Sequence, residues 1–136
     1  MPSQLENIYS GRAAEFYAAY ILELMGLRVT HVDLPYDDLW VSHPDGRLIR
    51  VQVKSARKPY HRQDRYSDNY RYCFKVNEAR KDFYDGIYLF VALDTGIVLA
   101  RTWDDKPPIS IKMNPLEFTT QAQEETLTRE FKLETD

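Results

Sequence analysis

Asp38, Gln52 and Lys54 are the residues whose types and spacing best suit chemistry. The run Arg50-Val51-Gln52-Val53-Lys54 alternates, so a strand built from it turns Ile49, Val51 and Val53 one way and Arg50, Gln52 and Lys54 the other. Upstream stands Tyr36-Asp37-Asp38-Leu39-Trp40-Val41, and Pro44-Asp45-Gly46 between the two segments has the composition of a hairpin turn. Packing Leu39 and Val41 into one core with Ile49, Val51 and Val53 puts Asp38 beside Gln52 and Lys54, because a one-residue slip would reverse every side chain. A carboxylate, a second oxygen donor and an ammonium are the minimal set for metal-assisted cleavage of a phosphodiester. The anion must be shielded by a cation, and a hydroxide must be generated to attack it. Glu15 is the fourth candidate. It flanks the apolar positions Ala14, Ala18, Ala19, Ile21, Leu22 and Met25, where a carboxylate is costly unless paired or bound to a cation.

These residues need elements to hold them. Ser3 and Glu6 have the form of a capping box, and Gly26 closes a helix predicted over 4–25, with a weak point at Ser10-Gly11. A short strand is predicted over 28–33, ended by Pro35, and a hairpin over 39–42 and 48–55. Residues 56–70 have no apolar period and read as an exposed loop, while 70–76 alternates as a strand. The apolar run 87–93 and the segment 97–103, joined at Asp94-Thr95-Gly96, form a second hairpin. Pro107-Pro108 marks a loop, and 115–133 is helical in composition, polar and acidic. Helix, strands, loop, strands and helix in that order give an α/β or α+β fold around a mixed sheet.

The 136 residues, 43% hydrophobic, suit a single domain spanning 1–136. The formal net charge of −3 conceals an asymmetry. Glu117, Glu124, Glu125, Glu130, Glu134 and Asp136 face only Arg129 and Lys132 at the C-terminal end, so the acidity belongs to that segment. The single cysteine, Cys73, excludes a disulfide framework and a cysteine-rich zinc site, and it reads as a small buried hydrophobe. His31, His43 and His61 lack ligand spacing. Asp37 should point away from Asp38 and serve as a surface or supporting acid. With no apolar run of membrane-spanning length and a polar start, the expected setting is cytoplasmic, with no membrane partner.

Bases and aromatics interleave after the hairpin. Arg57, Lys58, Arg62, Arg65 and Arg71 alternate with Tyr60, Tyr66, Tyr70 and Tyr72, against Asp64 and Asp68. Such a segment is often only a solvated loop, but bases neutralise phosphates and aromatics stack on exposed bases. Arg57, Lys58, Arg62 and Arg65 are therefore the expected DNA-binding residues.

Gly11-x-x-x-Glu15 on a first helix, Asp38-Leu39-Trp40-Val41 on a strand and Gln52-Val53-Lys54-Ser55 on the next resemble the PD-(D/E)XK nuclease superfamily. Within it, the chain is similar to small Holliday-junction-resolvase-like and homing endonuclease branches. The resemblance covers residues 11–56. It implies a restriction-endonuclease-like core, a central mixed β-sheet flanked by helices, and a metal-dependent DNA endonuclease of homing or restriction type. A structure-selective junction resolvase and a non-catalytic DNA-binding protein of nuclease fold are the alternatives. It also implies that Asp38, Gln52 and Glu15 hold Mg²⁺, for which Mn²⁺ can substitute, and that Lys54 activates the attacking water. Gln52 departs from the pattern, which usually has Asp or Glu there, although some branches carry Gln. Pro35 lies three positions before Asp38, where the motif usually has one. Two antiparallel DNA strands imply a homodimer or a dimer of dimers, for which the acidic C-terminal segment and the strands 87–91 and 97–100 are the expected interface.

Overall fold

The computed structural model describes residues 4–32, 34–61, 70–77 and 83–134. Helix α1 (Gln4–Leu24) runs without interruption through Ser10 and Gly11. A glycine inside a helix costs about 1 kcal/mol. Burial of Ala14, Ala18 and Leu22 against the sheet on the following turns offsets that cost. Gly26, at φ 92°, ends the helix in the left-handed region that other residues avoid. The expected Ser3 cap lies outside the described residues.

Strands β1 (Arg28–His31), β2 (Leu39–Ser42) and β3 (Leu48–Ala56) form an antiparallel meander. Its register is the one the core demands, with Leu39 opposite Val51 and Val41 opposite Ile49. The short strand β4 (Tyr60–His61) pairs antiparallel with β5 (Tyr70–Lys75), so the expected loop contains a sheet segment at each end. Strand β6 (Ile87–Ala92) then returns parallel to β3, and β7 (Ile97–Arg101) pairs antiparallel with it. The resulting order is β1-β2-β3-β6-β7, a mixed sheet. Strand β8 (Ser110–Met113) completes a second sheet of order β4-β5-β8. This strand was not expected, because its neighbouring prolines dominate the local pattern.

Two cores result. Ala14, Ala18 and Leu22 of α1, together with Leu127 and Phe131, cover Leu39, Val41, Val51, Leu89, Val91 and Val98 on one face of the mixed sheet. On the other face Tyr88, Phe90 and Ala92 pack against Tyr72, Phe74 and Met113 of the second sheet, with Phe118. All six residues of β6 are buried between the layers.

The C-terminal segment divides where the sequence predicts one helix. A 3₁₀ turn (Pro115–Glu117) precedes α2 (Thr120–Glu130), separated by buried Phe118 and by Thr119, whose hydroxyl accepts the Ala122 N–H at 3.0 Å. Helix α2 also closes the edge of β7: Gln123 Oε1 accepts the Val98 N–H at 2.8 Å and Thr126 Oγ1 accepts the Ala100 N–H at 3.1 Å. The strands expected to form an interface are therefore interior or covered. Cys73 also differs from expectation. Tyr72 and Phe74 take the inward positions of β5, which leaves Cys73 exposed on the outer face. Among the described residues, no helix is long and apolar enough to cross a membrane.

Candidate active site

Asp38 stands where β2 begins. The register that pairs Leu39 with Val51 brings Asp38 level with Gln52, and the Asp38 N–H donates to the Val51 carbonyl at 2.9 Å. The β2–β3 ladder ends at Leu39, so no paired strand carbonyl meets the next amide of β3. The Asp38 carboxylate takes that place, accepting the Val53 N–H through Oδ2 at 2.7 Å. Gln52 and Lys54 share the opposite face of β3 from Val51 and lie beside Tyr88 and Phe90 of β6.

Burial pushes the Asp38 carboxyl above the ordinary carboxylate range, and adjacent Asp37 pushes the same way. The Val53 N–H, the Lys54 charge and His31 pull it down without cancelling the burial. Asp38, Gln52 and Lys54 thus form one half-buried group at the mouth of the β2–β3 pair.

Glu15 lies on α1, next to two residues that contact this end of the sheet. Tyr17 donates to the Gly96 carbonyl at 2.6 Å, turning that side of the helix toward the β6–β7 hairpin. Phe16 lies against His31 of β1, with ring centroids 4.3 Å apart. Glu15 is half-buried and, two positions before Tyr17, lies on a different flank of the helix. Arg57 and Lys58 leave the end of β3 exposed to solvent. Arg62 and Arg65 lie outside the described residues. Among the described residues no group of three or more His, Cys, Asp or Glu side chains is placed to hold a metal ion.

Asp37 is the residue that strand alternation misplaces. It is only 4% exposed. Oδ2 accepts Trp40 Nε1 at 2.8 Å, Oδ1 accepts the Tyr84 hydroxyl at 2.8 Å, and Arg50 Nε donates to both oxygens at 3.0 and 2.9 Å. Arg50 also bridges to Asp85 at 2.7 Å and lies over the Tyr84 ring. Burial raises the Asp37 carboxyl, but the Arg50, Trp40 and Tyr84 donors outweigh it and hold the group below its ordinary value. Residues 34–38 are not strand, so alternation does not govern them. The available signal was Arg50, a cation on the same strand face as Gln52 and Lys54.

The bacterial homing endonuclease I-Ssp6803I matches this structure with a TM-score of 0.57 at 18% identity, over 83% of this chain and 76% of that chain. The likeness is one of fold, a mixed sheet flanked by helices. No family model and no curated protein matches it. In this fold, the Asp38 group occupies the start of β2, and the second sheet backs the strand face that carries Gln52 and Lys54.

Proposed function

We propose that the chain is a metal-dependent DNA endonuclease of the PD-(D/E)XK superfamily, with Glu15, Asp38, Gln52 and Lys54 as its working residues. The Asp38 carboxylate carries this reading. It is half-buried, fixed by the Val53 N–H, level with Gln52 and close enough to feel the Lys54 charge. A carboxylate whose ionised form is disfavoured where it stands is suited to receive a cation. The donors fit magnesium, or manganese in its place. Carboxylate and amide oxygens are hard ligands, and magnesium takes one or two carboxylates while keeping several waters.

Asp38 and the Gln52 amide oxygen would hold the ion, with Glu15 approaching from α1. The Val53 carbonyl points to the same edge of β3 as the N–H that Asp38 accepts, and would add a fourth oxygen. Such an ion, when bound, supplies charge against the phosphate and lowers the pKa of a water. Lys54, two residues beyond Gln52 on the same face, would lie against the phosphate oxygens and offset the charge that grows on them during attack. Arg57 and Lys58 would hold the flanking backbone. The substrate is DNA, cut at a chosen site in a duplex.

Gln52 favours a second reading, a DNA-binding protein that keeps the nuclease fold without cutting, because an amide brings no charge to the cation. Plasmid nicking separates the two. Wild type nicks supercoiled DNA in Mg²⁺, and Asp38→Asn and Lys54→Ala leave it intact. A duplex library and a four-way junction offered side by side distinguish site-specific cutting from junction resolution. If wild type retards DNA on a gel yet cuts neither substrate in Mg²⁺ or Mn²⁺, the enzyme reading fails. Recovery of cutting by Gln52→Glu would then locate the defect at that amide.

A further inference from the structure

Helix α1 is apolar on two faces, and the sheet covers only one of them. Ala14, Ala18 and Leu22 are buried against the sheet. On the opposite side Tyr9, Phe16, Tyr20 and Leu24 are 62, 54, 58 and 68% exposed, with Ala13 also exposed among them. At 100° per residue these five fall within roughly 80° of arc, a continuous stripe along the helix. A helix that is apolar all round is normally covered all round.

We propose that this outer stripe is the contact between two copies of the chain, which pair through α1 in antiparallel orientation about a two-fold axis at Phe16 and Tyr17. This does not depend on the nuclease reading.

Three features select the second copy. The first is size complementarity. A two-fold axis between residues 16 and 17 sets Tyr20 against Ala13 of the other copy and Leu24 against Tyr9, so each large side chain in the first pair meets a small one. Phe16 packs beside its own counterpart at the axis. The second is charge. Arg12 and Glu23, both exposed, edge the stripe on the same flank. In an antiparallel pair like flanks meet, which brings Arg12 toward Glu23 of the other copy and Glu23 toward Arg12. A parallel pair would set like flanks on opposite sides and forgo both pairings. The third is area. Four half-exposed side chains of this size offer roughly 500 Å² per chain. The pair therefore buries about 1,000 Å² before its flanks are counted, the range in which specific interfaces begin.

Light scattering and sedimentation equilibrium test this directly, with circular dichroism melts to verify folding. Wild type forms a dimer, and Phe16→Glu weakens it about thirtyfold or more by placing a charge at the axis. Arg12→Glu and Glu23→Arg, each alone, set like charges against each other across the interface and dissociate. Mixed in equal amounts they restore the dimer, because each chain then supplies the charge the other lacks. Glu23 Oε1 also accepts the Val29 N–H at 2.9 Å, so the melt of Glu23→Arg accounts for that lost bond. A monomeric wild type, a dimer untouched by Phe16→Glu, or charge variants that fail to recombine would overturn the proposal. So would a monomeric wild type whose affinity for DNA falls in Phe16→Glu, since the stripe would then belong to the nucleic acid.

Discussion

Two adjacent aspartates meet opposite surroundings in this chain. Asp37 is more deeply buried than Asp38, yet its carboxyl is held low, because Arg50, Trp40 and Tyr84 supply as many donors as its oxygens can use. Asp38 is half-buried with one backbone donor, and burial decides its direction. Asp37 therefore stabilises the turn that presents Asp38, and the cost of its removal can be estimated. Asp37→Ala strands three donors, but Arg50 keeps contact with water and with Asp85. The expected loss is about 2–3 kcal/mol, short of the full cost of breaking a buried pair. Tyr84→Phe removes one of three partners and should cost about 1 kcal/mol. Urea denaturation measures both, and an Asp37→Ala protein as stable as wild type would show that the network contributes nothing. Asp38, Gln52 and Lys54 were readable from the sequence because the period of the strand fixes their common neighbourhood. Asp37 was not, because one of its partners, Tyr84, is 47 positions away and Asp37 itself lies in an irregular segment where alternation has no meaning.

Strands β3 and β6 meet in parallel register, and Gly86 stands just before β6 begins. A Cβ on Gly86 would overlap the Arg50 carbonyl oxygen and the Tyr84 ring. The carbonyl is backbone and cannot turn aside, so Gly86→Ala should cost about 3 kcal/mol and loosen the Arg50–Asp37 contact with it. A melting temperature unchanged by this substitution would mean that the strands can part freely. The layer behind them depends on Tyr72, which joins the second sheet to the β6–β7 turn by donating to Asp94 Oδ1 at 2.7 Å. Burial, reinforced by Asp94, pushes its phenol from 10.0 up to about 12. The proton is held more tightly in the folded chain than in the unfolded one. This contribution is complete below pH 10 and is lost as pH rises through 12. Stability should fall across that window by on the order of 2 kcal/mol from this residue, and Tyr72→Phe should flatten the fall. Equal alkaline sensitivity in the two proteins would exclude Tyr72 as its source. The two hairpins were evident from turn chemistry and apolar runs. The pairing of β5 with β8 was not, since it joins segments nearly 40 positions apart and β8 is a four-residue strand beside two prolines.

Charge is sorted across the molecule by the order of the sheet. Arg57 and Lys58 follow the end of β3, the strand that carries Gln52 and Lys54, whereas the acidic α2 lies along β7, two strands further across. Two strand spacings are about 10 Å, already beyond the screening length of about 8 Å at physiological salt. The acids of α2 should therefore leave a phosphate at the β3 end undisturbed, which reconciles a net charge of −3 with the DNA ligand proposed above. The sequence showed the asymmetry of charge but could not show its separation, because the parallel β3–β6 pairing is what sets the basic and the acidic segments on different parts of the sheet. Fluorescence anisotropy on a labelled duplex measures the consequence. Replacing both Arg57 and Lys58 with alanine should weaken binding by a similar factor on every sequence and reduce the slope of log K against log salt by about 2, one for each phosphate no longer neutralised. Glu124→Gln together with Glu125→Gln should leave both affinity and slope as they were. If the acidic pair moves the slope and the basic pair does not, DNA approaches the α2 edge, and the face proposed for catalysis is the wrong one.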